Sequence, residues 1–87
     1  MSTLSDTINM MNSDDYKERF IAEYWQLKIR YESLKNMLFA YRDGSLEFIP
    51  TCSEYVLQIQ LDIMKSYLSM LEYRAALEGI NIERWGE

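Results

Sequence analysis

Arg74 is the residue of this chain best suited to meet a ligand. It falls in line with Ile63, Tyr67 and Met70 on an otherwise apolar stripe. An arginine in that setting is either paired with a carboxylate or open to an anion, and its planar fork suits phosphate. Lys28, Lys35 and Arg42 recur every seven residues, which makes a solvated flank or an inter-helix salt-bridge edge. Seven tyrosines are present. Those outside the apolar repeat, Tyr16, Tyr55, Tyr67 and Tyr73, can stack on a planar ligand or sit in an oligomer interface.

Other chemistry is missing. The chain has no histidine, which removes the commonest general base and the commonest metal ligand. Its one cysteine, Cys52, can form neither an internal disulfide nor a thiolate zinc site. Placed in the first turn of a helix, Cys52 would have an easily ionised thiol. With no histidine to work with, it reads as a buried or half-buried structural residue. No glycine-rich phosphate loop occurs. These features predict no catalytic residue, no metal and no cofactor, so binding or assembly is expected rather than enzyme activity.

The elements that must position these residues follow from apolar spacing. Phe20, Tyr24, Leu27, Tyr31, Leu34, Leu38 and Tyr41 recur in a 4-3 rhythm, and Leu57, Leu61, Met64, Leu68, Leu71 and Ala75 answer it. Two such seams predict an all-α fold, an antiparallel hairpin of two long helices. Asp15 caps the first helix, with Glu18 completing the reciprocal pattern. The helix runs over about 15–42 and ends at Asp43-Gly44. Thr51 and Glu54 form a capping box for the second helix, over about 52–78, which Gly79 stops. Between them, Leu46 and Phe48 are expected to tuck against the hairpin end. The predicted organisation is an arm at 1–14, a hairpin at 15–79 and a tail at 80–87. Residues 1–12 read as flexible, with a short helical turn around Asp6 to Met11.

Eighty-seven residues sit near the size at which one core is only marginally stabilising, and two stripes are left over. Ile21, Trp25 and Ile29 recur on the first helix away from its seam, and Ile63, Tyr67 and Met70 lie beside the second seam. Either the arm or tail covers a stripe, or the chain assembles into a homo-oligomer. A net charge of −5 repels phosphate polymers on average, so no DNA or RNA partner is expected. No apolar run is long enough for a bilayer. With no basic, apolar leader visible, the expected place is the cytosol.

The stretch from Tyr16 to Ile80 resembles small proteins of gut bacteriophages, including crAss-like phages. The resemblance rests on Tyr16-Lys17-Glu18-Arg19-Phe20, on Gly44 through Cys52, and on Met64, Tyr67-Leu68 and Leu71 through Ala75. The second helix is also similar to the hairpin of phage anti-CBASS and anti-Thoeris sponge proteins, at Leu61, Met64, Tyr67, Leu68 and Arg74. That likeness implies a homo-oligomer, often a hexamer, that sequesters a cyclic di- or trinucleotide or related signal without cleaving it. It implies Arg74 as the phosphate contact, Lys28 as a ligand-reaching lysine of the first helix, and Tyr16 as the stacking aromatic. The sponges' aromatic-rich N-terminal motif has no counterpart here. The expected setting is the cytoplasm of a bacterial host cell. Two rival expectations are an acidic helical inhibitor of a host defence protein, in the manner of an anti-CRISPR, and a structural or accessory phage protein.

Overall fold

The computed structural model describes residues 3–83. A 3-10 turn, Leu4–Thr7, leads into a short helix α1 (Ile8–Met11), followed by the long helices α2 (Tyr16–Asp43) and α3 (Glu54–Glu78). No strand occurs among the described residues. Early α2 meets late α3 and late α2 meets early α3, as the pairs Tyr24–Glu72 and Arg42–Glu54 show, so the long helices are antiparallel. The longest dimension, 42 Å, is that of α2 alone at about 1.5 Å per residue.

The helix ends explain the boundaries. Asp15 caps α2 by accepting from the Lys17 amide at 2.9 Å. Glu18 does not close the expected reciprocal box. The Ser13 hydroxyl stands between, accepting from the Asp15 amide at 3.0 Å and donating to Glu18 at 2.8 Å. At the other end Gly44 takes a left-handed φ of 83°, and the Ser45 amide returns to the Ala40 carbonyl at 3.0 Å. This satisfies a carbonyl the helix would otherwise leave unpaired. The Asp43 carboxylate accepts from the Ser45 amide at 2.9 Å, and its pKa is lowered first by the Ser45 side chain and then by this amide.

The start of α3 corrects the sequence reading. Ser53, not Thr51, is the cap, and its hydroxyl accepts from the Val56 amide at 3.2 Å. Glu54 therefore opens the helix and bonds Arg42, whose second guanidinium nitrogen donates to Gln58 at 2.5 Å. A carboxylate at the first helical position also complements the helix dipole, which is why the later start is favourable. Cys52 consequently lies outside α3 and is exposed, not buried. Phe48 is exposed as well; Leu46 and Pro50 of the connection are half-buried, lining a shallow hollow of about 260 Å³. Gly79 ends α3 with a φ of 68°.

Most of the two seams forms the core, while Leu27, Tyr31, Leu34, Tyr41 and Met64 are only half-buried. Phe20, Tyr24, Leu68, Leu71 and Ala75 are buried in one cluster, which Ile21 and Ile80 complete, and Leu38, Leu57 and Leu61 form a second toward the connection. The arm is not a loose extension. Its turn and α1 both pack on α2, and Met10 joins the larger cluster. Buried Thr7 satisfies its hydroxyl by donating to the Leu4 carbonyl at 2.7 Å. The tail closes the adjacent side. Ile80 is buried, Ile82 packs beside it, and the Trp25 indole N–H donates to the Ile82 carbonyl at 2.7 Å. Arm and tail thus cover the Ile21-Trp25-Ile29 stripe, leaving Ile21 2% exposed. Met1, Ser2 and the tail from Arg84 onward lie outside the described residues.

Candidate functional site

Heptad spacing on both long helices builds one flank of the hairpin. Tyr16 and Glu23 are seven residues apart on α2, and Tyr67 and Arg74 are seven apart on α3. Antiparallel packing then sets Tyr16 against Arg74 and Glu23 against Tyr67. The Arg74 Nη2 donates to the Tyr16 hydroxyl at 2.7 Å, and the Tyr67 hydroxyl donates to Glu23 Oε2. Phe20 lies one turn beyond Tyr16, with their ring centroids 6.2 Å apart, and its face receives the guanidinium at 5.0 Å. Glu78, one turn after Arg74, accepts from Nε at 3.3 Å.

This is an arginine framed by aromatic rings at the surface. Its side chain is 41% exposed, and Tyr16 and Tyr67 stand half in solvent beside it. Among the described residues Nη1 has no hydrogen-bond partner, which leaves one edge of the fork for a ligand. Partial desolvation works against the arginine's charge, but Tyr16, Glu78 and Glu23 outweigh it and its pKa is raised. The Glu78 pairing is a solvent-screened surface i,i+4 contact, and such pairs contribute little, so a phosphate can displace it at small cost. Glu23 is engaged by Tyr67, whose own pKa is raised chiefly by that hydrogen bond and further by desolvation.

Lys28 stands elsewhere. It is five residues from Glu23, roughly 140° around the helix at 3.6 residues per turn, and its ammonium lies over Trp25 at 5.1 Å and Tyr24 at 5.7 Å. On that opposite flank the buried Tyr24 hydroxyl donates to Glu72 at 3.0 Å, and burial followed by this bond pushes its pKa up. The structure therefore brings Tyr16, Tyr67 and Arg74 together and leaves Lys28 apart. The basic stripe lies along a seam edge: Lys35 sits over Tyr31 at 6.0 Å, and Arg42 bonds Glu54.

Three participants escaped the sequence reading. Phe20 was assigned to the seam alone, yet its ring also floors the arginine. Glu78 was visible as an i,i+4 partner of Arg74. Glu23 was signalled only by its heptad spacing from Tyr16. No group of three or more potential metal ligands is present among the described residues, and no helix there is long and apolar enough to cross a membrane.

Comparison with known proteins gives one informative result. The family model described as Sequestin matches residues 14–77, which hold both long helices up to Leu77 and all four residues of the cross-paired flank. The chain belongs to the Sequestin family. No curated protein and no solved structure shows significant similarity.

Proposed function

We propose that this member of the Sequestin family binds a cyclic nucleotide immune signal and holds it out of circulation without cleaving it, as a phage anti-defence protein. The family's name supports sequestration as the activity. The observation that carries the choice of ligand is the guanidinium of Arg74, set among Tyr16, Phe20 and Tyr67 with one edge open. A phosphate takes the open edge through charge-assisted hydrogen bonds. A base stacks on the half-exposed tyrosines, a contact worth about 1–3 kcal/mol where it has been measured by alanine substitution in nucleic-acid complexes. Sequestration needs no proton transfer, only a dissociation constant below the signalling concentration and enough protein to match the signal. The host cytoplasm is where such a signal would be met. Lys28 is a second contact only for a ligand that reaches the Trp25 flank.

Calorimetry against cyclic di- and trinucleotides and cyclic ADP-ribose isomers tests this reading. Saturable heat that Arg74→Ala abolishes, with the ligand recovered intact, is the expected result. No heat from any of them, with the protein folded, sinks it. A second reading, an acidic inhibitor of a host defence protein, is favoured by the net charge of −5 and the uncovered apolar face of α3. A stoichiometric host protein recovered with the chain, in the absence of nucleotide binding, would establish that reading instead.

A further inference from the structure

We infer that the arginine site is one end of a longer groove, whose far end, a hollow beside Arg30, takes a second phosphate-bearing nucleotide unit of the same ligand. The inference rests on the nucleotide reading and names the ligand class, linked nucleotides whose phosphates are separated by a sugar. Tyr16 meets Arg74 and Glu23 meets Tyr67, one heptad apart on each helix. Continuing that register by seven residues on both helices sets Arg30 opposite Gln60. Both line a hollow of about 410 Å³, floored by Ile29, Leu34, Met37 and Met64. Arg30 is exposed and, among the described residues, takes part in no hydrogen bond or ion pair.

The order of charge along the groove matches that of a nucleotide backbone. Its Arg30 and Arg74 ends are two heptads apart, about 21 Å at backbone level. Side chains lean toward the N-terminus of their own helix, so on antiparallel helices these two arginines lean toward each other. The Arg74 guanidinium shows it, lying over Phe20, which falls between Tyr16 and Glu23 in the chain. Glu23, between the two arginines, repels a phosphate and accepts a ribose hydroxyl, as carboxylates of nucleotide sites do. A pyrophosphate holds its charges together and meets one arginine, whereas two phosphodiesters separated by a ribose meet both. The hollow has the volume of a small-molecule site, and its methionines adapt to the face of a base. The Gln60 amide can both donate to and accept from the base edge, and Leu4 of the arm closes one wall.

Calorimetry of the full chain with cyclic di-AMP, cyclic di-GMP and cyclic GMP-AMP, set beside cyclic ADP-ribose isomers, tests the inference. At least one cyclic dinucleotide should bind. Arg30→Ala should weaken that binding about ten- to hundredfold, the loss of one charge-assisted phosphate contact, and Arg30→Lys should restore most of it. Lys65→Ala, which removes an exposed charge outside the groove, should leave the affinity unchanged. Circular dichroism is the folding control, and Gln60→Ala, with a smaller loss expected, serves as a second variant. Heat from cyclic ADP-ribose isomers alone overturns the two-ended groove and leaves sequestration standing. So does a cyclic dinucleotide that Arg74→Ala releases and Arg30→Ala does not, or an equal loss from Lys65→Ala. No heat from either class removes both readings.

Discussion

Two apolar stripes that look alike in the sequence meet opposite fates in the fold. Ile21, Trp25 and Ile29 on α2 and Ile63, Tyr67 and Met70 on α3 each recur at helical spacing outside a seam. The first is covered by the chain's own ends, with α1 on one side and the Trp25–Ile82 hydrogen bond on the other. The second faces solvent. The difference is one of tethering. The described arm and tail both lie beside α2, where a short segment can fold back at modest entropic cost, and no other described segment is tethered beside the outer face of α3. Apolar spacing alone therefore says how much surface must be hidden. Connectivity decides what hides it.

Substitutions on the two helices sharpen this contrast. Leu71→Ala, at a fully buried position of the inner α3 face, should have the largest effect, a loss of about 2–5 kcal/mol in urea unfolding. Ile63→Ser on the outer face should change the unfolding free energy by under about 0.5 kcal/mol in dilute protein. A comparable loss at both sites would mean the outer face is covered even at low concentration. Trp25→Phe, which keeps the ring but loses the donor to Ile82, should cost about 1 kcal/mol and loosen the tail first. Amide exchange at Ile80 to Glu83 is the measurement, and unchanged protection would show that the tail does not rely on this bond.

Ser53→Ala should cost about 1 kcal/mol, while Thr51→Ala should be close to neutral; the reverse order would restore the sequence-based start of α3. The smallest effect is alkaline. Tyr24 and Tyr67 both have raised pKa values, from burial and from the Glu23 hydrogen bond respectively. The folded state thus holds these protons more tightly than the unfolded one. Their contribution is complete below the free phenol value near 10 and is lost as pH rises through the folded values. Absorbance titration should show two phenols ionising above the free phenol value, with Tyr67→Phe removing one of these late steps. Early ionisation of both would contradict the hydrogen bonds.

The hairpin was legible because a 4-3 rhythm is a direct imprint of helix geometry. Asp15, Gly44 and Gly79 were legible too, since capping and left-handed backbone select few residue types. Competition between neighbours was harder to read. Thr51 and Ser53 are both able caps, and the choice turned on Arg42 reaching Glu54 across the hairpin. Arg74 stood out as a charge on an apolar stripe, but its partners Tyr16 and Phe20 required the antiparallel register, which spacing alone leaves undefined. Lys28 shared the periodicity of the basic stripe and still faced the wrong flank for that group.

Because the arm, the tail and α3 all dock on α2, that helix is the hub of a hub-and-spoke architecture. The tail is tied to α3 as well, because Ile80 shares the cluster of Leu71 and Ala75 and its amide donates to the Ala75 carbonyl at 2.9 Å, so the arm is the spoke that can lift most independently. A protein arranged in this way depends most on the one 28-residue helix whose sides the arm, the tail and α3 share.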